Sequence, residues 1–279
     1  MSILLRAALM QHLDALRHEP TDKRIRATLD GATVVDSTDA LLVWEPKRIV
    51  PTYAVPEADI VGELVAAPPV GHGDKGVDAP RLGDRPVYDP SIPFAVHTTD
   101  GEPLVVRVDG TDREPEAFRP SDPDLDRYVL LDFAGFDEWF EEDERNLAHP
   151  RDPFHRVDIV RSSRTVRVEV DGIVLAESTS PHLLFEPPLP VRYYFPLADV
   201  RTELLEPSEL ATRCAYKGEA SYFSAAGAPD VAWGYREPLR DSAEITGRIA
   251  FFNERVDLFV DGELQERPVT PWSRPGHEG

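Results

Sequence analysis

The feature that most constrains the fold is a correspondence between the two halves of the chain. Ile25-Arg26-Ala27-Thr28-Leu29 alternates apolar and polar residues and then meets Asp30-Gly31; Val166-Arg167-Val168-Glu169-Val170 does the same before Asp171-Gly172. Alternation with a period of two, closed by Asp-Gly, reads as a strand entering a tight hairpin. From there the halves run in step. Ser37-Thr38 corresponds to Ser178-Thr179, and Leu42-Val43-Trp44-Glu45-Pro46 to Leu183-Leu184-Phe185-Glu186-Pro187. Tyr53, Pro56 and Ala58-Asp59-Ile60 correspond to Tyr193, Pro196 and Ala198-Asp199-Val200. Turns, aromatics and prolines that agree together predict an internal duplication. Asp109-Gly110 and Asp261-Gly262 mark further hairpins. The expected fold class is mainly β: two tandem small β domains with few short helices, related by that duplication. Helical signals are confined to residues 3–17, a turn near 199–205 and residues 137–145.

After Asp59 the halves diverge. Asp59 precedes Asp100 by 41 residues, whereas Asp199 precedes the corresponding Lys217 by 18, so the first half carries 23 more. The surplus falls on residues 66–90, rich in Pro, Gly and Asp, which predicts a long surface loop without regular structure whose removal leaves the core nearly as stable. The alignment then resumes: His97 to Glu102 faces Cys214 to Glu219, and residues 129–140 face 249–260. The expected organisation is an N-terminal helix over 1–18, a divergent domain over 19–145, a linker over 146–156, a second domain over 157–265 and a tail over 266–279.

A formal charge of −21 argues against a nucleic-acid backbone or an anionic membrane as partner, because both recruit clustered Lys and Arg. One cysteine excludes an internal disulfide and fits a cytoplasmic location. No stretch approaches ~20 apolar residues, the length a membrane-spanning helix needs.

The densest chemistry lies in Arg213-Cys214-Ala215-Tyr216-Lys217-Gly218-Glu219-Ala220-Ser221-Tyr222. Taken as one strand, it places Cys214, Tyr216, Gly218, Ala220 and Tyr222 on one face, and Lys217, Glu219 and Ser221 on the other. Two readings stand for Lys217 and Glu219. They form an exposed ion pair worth ~0–1 kcal/mol, or the polar core of a pocket walled by Tyr194, Phe195, Tyr222 and Trp233. Cys214 either packs as a small apolar residue or reaches Lys217 through a bulge at Gly218.

This segment, with Leu205-Glu206-Pro207-Ser208 before it and Trp233-Gly234-Tyr235 after it, resembles the bacterial family DUF427 over about residues 157–262, with a weaker copy in the first half. The resemblance implies a small mainly β domain in each half and leaves the reaction open. A nucleotidyltransferase label attached to some members finds no P-loop or Asp-x-Asp signature here. The first copy departs from the motif, with His97 for Cys214, Asp100 for Lys217 and Val105 for Tyr222; it is either a scaffold or, through His97 and Glu102, a second site.

The expected function is an enzyme acting on a small organic molecule by acid–base or lysine-amine chemistry, with no metal and no cofactor. Its candidate catalytic residues are Lys217, Glu219 and Cys214, and its candidate ligand-binding residues Tyr194, Tyr216, Tyr222, Trp233 and Arg192. The alternative is a non-catalytic module that binds a small molecule or a protein; either would act as a monomer or homodimer. Poise separates the two, since a catalytic lysine needs a depressed pKa. Replacing Lys217 or Glu219 should then leave stability within ~1 kcal/mol. His149, Asp152 and His155 have the spacing of a two-His-one-carboxylate metal set, but Pro150 and Pro153 disfavour a helix that would gather them, and polar linker contacts are the expectation. Asp122, Asp124 and Asp126 lack the Gly and distal Glu of a calcium loop and are expected to be solvated.

Overall fold

A computed structural model describes residues 2–67, 77–111 and 113–273. The chain divides into two compact units: unit 1, Met1–Ala79 with Pro86–Asp152, and unit 2, Pro80–Arg85 with Pro153–Gly279. Both are built from antiparallel strands; among the described residues, helix is limited to α1 (Leu5–Leu9) and short 3-10 segments.

In unit 1 the strands are β1 (Arg17–Pro20), β2 (Ile25–Leu29), β3 (Ala32–Ser37), β4 (Leu41–Trp44), β5 (Thr52–Pro56) and β6 (Glu63–Ala66); after the short pair β7 (Arg81–Leu82) and β8 (Arg85–Pro86), of which all but Pro86 belongs to unit 2, come β9 (Gly101–Arg107), β10 (Glu116–Pro120), β11 (Tyr128–Leu131), β12 (Glu138–Glu141) and β13 (Glu144–Asn146). Unit 2 continues with β14 (Asp158–Arg161), β15 (Val166–Val170), β16 (Ile173–Ser178), β17 (His182–Phe185), β18 (Arg192–Pro196), β19 (Leu205–Cys214), β20 (Gly218–Ala225), β21 (Ala228–Tyr235), β22 (Arg248–Phe251), β23 (Asp257–Val260) and β24 (Glu263–Leu264).

The larger sheet runs β1-β4-β5-β11-β10-β9-β6 in unit 1 and β14-β17-β18-β22-β21-β20-β19 in unit 2. The smaller sheets are β13-β12-β2-β3 and β16-β15-β23-β24. Matched strand by strand, these orders coincide. Asp30 and Asp171 both have φ 50°, and Gly31 and Gly172 both have φ 78°, the left-handed pair that a tight hairpin needs.

Each unit buries one core between its two sheets: Ile25, Ala27, Val35, Tyr53, Val129 and Trp139 in unit 1, and Val166, Val168, Phe195, Ala232, Phe251 and Leu258 in unit 2. A second cluster covers the outer face of each larger sheet. In unit 1 it comprises Leu41, Val43, Ala54, Phe118, Leu125, Tyr128 and Leu130; in unit 2 it includes Leu184, Tyr194, Tyr222, Trp233, Tyr235, Ile245 and Phe252. Burial on both faces explains why β4 (Leu-Leu-Val-Trp) is an apolar run instead of an alternating one, and why the adjacent Leu183 and Leu184 of β17 are both buried.

Four expectations are corrected. The helix over 3–17 shrinks to α1; Leu13 is buried, but its carbonyl accepts the Lys47 N–H instead of continuing a helix. Residues 137–145 form the β12–β13 hairpin, where Trp139 and Glu141 bury alternate positions and Glu142 turns the chain at φ 54°. The excursion 66–90 is not wholly irregular: 68–76 lie outside the described residues, β7 and β8 pair, and Val87 and Tyr88 are buried. Arg48 ties down the adjoining segment, donating to the carbonyls of Pro93 and Val96 at 2.9 Å. The described part of the expected tail, up to Ser273, is packed: Thr270 donates to Glu254 and Trp272 lies against the outer cluster of unit 2.

Candidate functional site

The Cys214–Tyr222 segment is not one strand. β19 ends at Cys214, the chain turns through Ala215, Tyr216 and Lys217, and β20 starts at Gly218, which pairs with Cys214. Gly218 has φ 96°, a backbone state only glycine holds without strain, and the Leu239 N–H donates to the Lys217 carbonyl at 3.1 Å. The turn pulls Lys217 inward and leaves Glu219 outside. The two therefore do not share a face, and the expected Lys217–Glu219 pair does not exist. Glu219 is exposed and accepts from Arg213 Nε at 3.1 Å across the hairpin.

The carboxylate partner of Lys217 is Glu186. Lys217 Nζ donates to both carboxylate oxygens at 2.5 Å, and His155 Nε2 lies 2.9 Å from Oε1. All three side chains are largely withdrawn from water: 11% of Lys217, 8% of Glu186 and 18% of His155 remains exposed. The His155 ring stacks on Tyr216, with centroids 4.2 Å apart. Glu186 follows β17 directly, and the alternation of that strand points it, with Leu184, to the outer face.

Burial by itself would favour a neutral Glu186, but Lys217 and His155 outweigh it and hold the carboxyl at about 2, against an ordinary 4.5. Burial also disfavours the Lys217 ammonium; Cys214, Glu186 and Tyr194 overcome that and raise its pKa above the ordinary value. Tyr194 and Tyr235 go up because burial penalises the phenolate. The site thus holds a fixed ammonium–carboxylate pair.

The remaining candidates divide. Tyr194 is buried, and its hydroxyl accepts from Trp233 Nε1 at 3.2 Å; Tyr222 is buried and hydrogen-bonds Thr212 Oγ1 at 2.8 Å. Arg192 is committed elsewhere. It makes a two-point pair with Glu254 at 2.7 Å and lies 5.3–5.7 Å from the ring centroids of Trp233, Phe252 and Trp272. Tyr216 and Cys214 flank the Lys217 turn, Cys214 half-buried. His149, Asp152 and His155 do not assemble: His155 is on Glu186, while His149 Nδ1 faces the Pro150 carbonyl in unit 1. Among the described residues no group of three His, Cys, Asp or Glu could hold a metal ion. Asp122 caps a 3-10 turn by accepting the Asp124 N–H.

Unit 1 keeps the glutamate and changes its partners. Glu45, directly after β4, is buried; its Oε1 accepts from the amides of Thr98 and Thr99, and His97 Nδ1 lies 3.0 Å from Oε2. His97 stacks on Phe118 at 3.7 Å. Glu102 is turned away on Arg119, so His97 and Glu102 do not form a joint site.

Both units are pairs of antiparallel sheets, each with a buried glutamate directly after a large-sheet strand: Glu45 after β4 and Glu186 after β17. Residues 158–262 match the model of a family described as a domain of unknown function, DUF427. The match takes in Glu186, Cys214 and Lys217, while His155 lies just before it and unit 1 outside it. No curated protein matches the chain. The residues that sequence reasoning missed are Glu186 and the role of His155. The signal for Glu186 was present: Glu-Pro follows an apolar strand in both halves.

Proposed function

We propose that unit 2 is an enzyme domain acting on a small organic molecule, with His155 as the group that exchanges a proton. One observation carries this reading. Glu186, ionised and able only to accept, sits against His155 Nε2, so that nitrogen must carry the hydrogen and Nδ1 is the nitrogen that can take up or release a proton. Glu186 is then an orienting residue, as a carboxylate is in a nucleophile–His–acid triad. Lys217 supplies a fixed positive charge beside it, suited to a carboxylate or an oxygen on which negative charge develops. Tyr216 gives the imidazole a flat wall.

The lysine-amine route loses support, because a neutral nucleophile is what the raised Lys217 pKa works against. The same fact favours the second reading, a module that binds an anionic small molecule without turning it over. The kinship of the two units by duplication belongs to the proposal as well; it rests on their coincident strand orders and on Glu45 and Glu186.

The test is a turnover screen of the full chain against pooled metabolites, read out by mass spectrometry. A species consumed by the natural protein and spared by His155→Gln supports catalysis. A species retained but unchanged, with retention lost in Lys217→Met, would move the conclusion to the binding module.

A further inference from the structure

At the opposite end of the same outer face, two arginines and a histidine of unit 2 share one patch of sheet. Arg161 on β14 is the register partner of His182 on β17, and Arg248 on β22 is the partner of Pro196 on β18. His182 pairs with Tyr194 and Arg248 lies two residues from Ala250, so alternation places all three side chains on the face of Tyr194 and Ala250. Arg161 is on the strand next to that of His182 and Arg248 is two strands away across β18; at about 4.8 Å per strand, a long arginine side chain can lean over that separation.

This clustering is costly to the fold. The chain carries 51 acidic residues, and other arginines of unit 2 take one: Arg164 with Asp261, Arg167 with Glu169, Arg192 with Glu254 and Arg213 with Glu219. Among the described residues Arg161 and Arg248 have no carboxylate at ion-pair distance, and Arg248 Nη1 is shut off from solvent with no acceptor. A buried donor without an acceptor calls for an explanation. Unit 1 shows that the scaffold does not need these charges. Its register puts Pro20, Leu41 and Tyr128 at the equivalent positions, and there Leu41 and Tyr128 simply join the apolar cluster.

His182 completes the set. Its Nδ1 is 3.0 Å from the Glu244 carbonyl, which can only accept, so Nδ1 carries a hydrogen and Nε2 remains available. Burial lowers its pKa most and Arg248 lowers it further; Glu244 opposes them, and Arg161 adds the least. Asp199 is the other acid near Arg248, and it already accepts from Ser178 Oγ.

We propose that Arg161, His182 and Arg248 form an oxyanion site for a phosphate group, carried by a small molecule or free. Two forked guanidinium groups offer more parallel N–H donors than a carboxylate can accept, whereas the tetrahedral oxygens of phosphate match them. The site is independent of the chemistry proposed at His155.

The experiment tracks the His182 imidazole by NMR through a pH titration of the whole chain, with inorganic phosphate, phenyl phosphate or sodium chloride at equal ionic strength. A bound dianion should move the His182 midpoint up by about one pH unit, saturably, while chloride should not. Arg161→Gln changes an exposed residue and leaves the core intact; with Arg248→Gln it should weaken phosphate affinity about tenfold each. Tighter binding of phenyl phosphate would identify an ester, and tighter inorganic phosphate the free anion; either supports the site. A midpoint that phosphate and chloride move equally, or saturable binding that survives both substitutions, would overturn it.

Discussion

Lys217→Met tests how the candidate site is held together. The substitution removes the ammonium that donates to both oxygens of Glu186 and leaves a buried carboxylate with His155 as its remaining partner. The magnitude comes from linkage. Glu186 is held at about 2 against an ordinary 4.5, a gap that corresponds to about 3 kcal/mol at ~1.4 kcal/mol per pH unit. Loss of one partner from a buried pair costs ~3–5 kcal/mol by general experience, in agreement. The Lys217 shift reports the same interaction from the other side, so the two are not added. Because the carboxyl is depressed, this stability is present above pH 4.5 and is lost as pH falls toward 2. Because the ammonium is raised, its share is present below 10.5 and is lost as pH rises through the higher folded value. Calorimetry at neutral pH should show the unit 2 transition lowered by about 12 °C, at ~4 °C per kcal/mol for a unit of this size. Glu186→Gln in the Lys217→Met background should recover most of that loss, so the coupling exceeds ~2 kcal/mol by whatever Glu186→Gln costs alone. Additive effects, or a single-variant loss below ~1 kcal/mol, would refute the buried pair. This loss exceeds the ~1 kcal/mol that the sequence alone predicts for substituting a pocket lysine.

Three other substitutions and deletions have defined outcomes. Gly218→Ala puts a side chain at φ 96°, with a Cβ 3.4 Å from the Glu237 carbonyl, and should destabilise unit 2 by about 1–2 kcal/mol in urea melts. Glu219→Gln removes only an exposed pair with Arg213 and should leave urea midpoints and any turnover unchanged, to within ~0.5 kcal/mol of stability. Deleting residues 66–90 should destabilise unit 1 by several kcal/mol, because it removes the fully buried Val87 and Tyr88; a deletion variant that melts like the natural chain would show that this stretch is only a loop after all.

How much of this was legible in the sequence differs by element. The Asp-Gly hairpins and the alternating β2 and β15 declared themselves, because local turn chemistry and side-chain period are properties of consecutive residues. The order of eleven matched strands was implied only through the correspondence of the halves. Residues 137–145 misled because Trp139, Phe140 and the surrounding acids carry no Asp-Gly, and the turn is made by Glu142 in a left-handed conformation. The hairpin at Ala215-Tyr216-Lys217 hid for the same reason; Gly218 alone announced it. Glu186 and Lys217 lie 31 residues apart, and their pairing is a tertiary event no local pattern encodes. His155 was set among linker residues, whereas its ring belongs to unit 2.

The measurement that bears most directly on the proposed chemistry is the tautomer of His155, read from long-range nitrogen–proton correlations of its imidazole in the full chain at neutral pH. The proposed chemistry predicts hydrogen on Nε2, facing Glu186, and collapse of that preference in Glu186→Gln. A hydrogen on Nδ1 instead, or a tautomer that ignores Glu186, would contradict it.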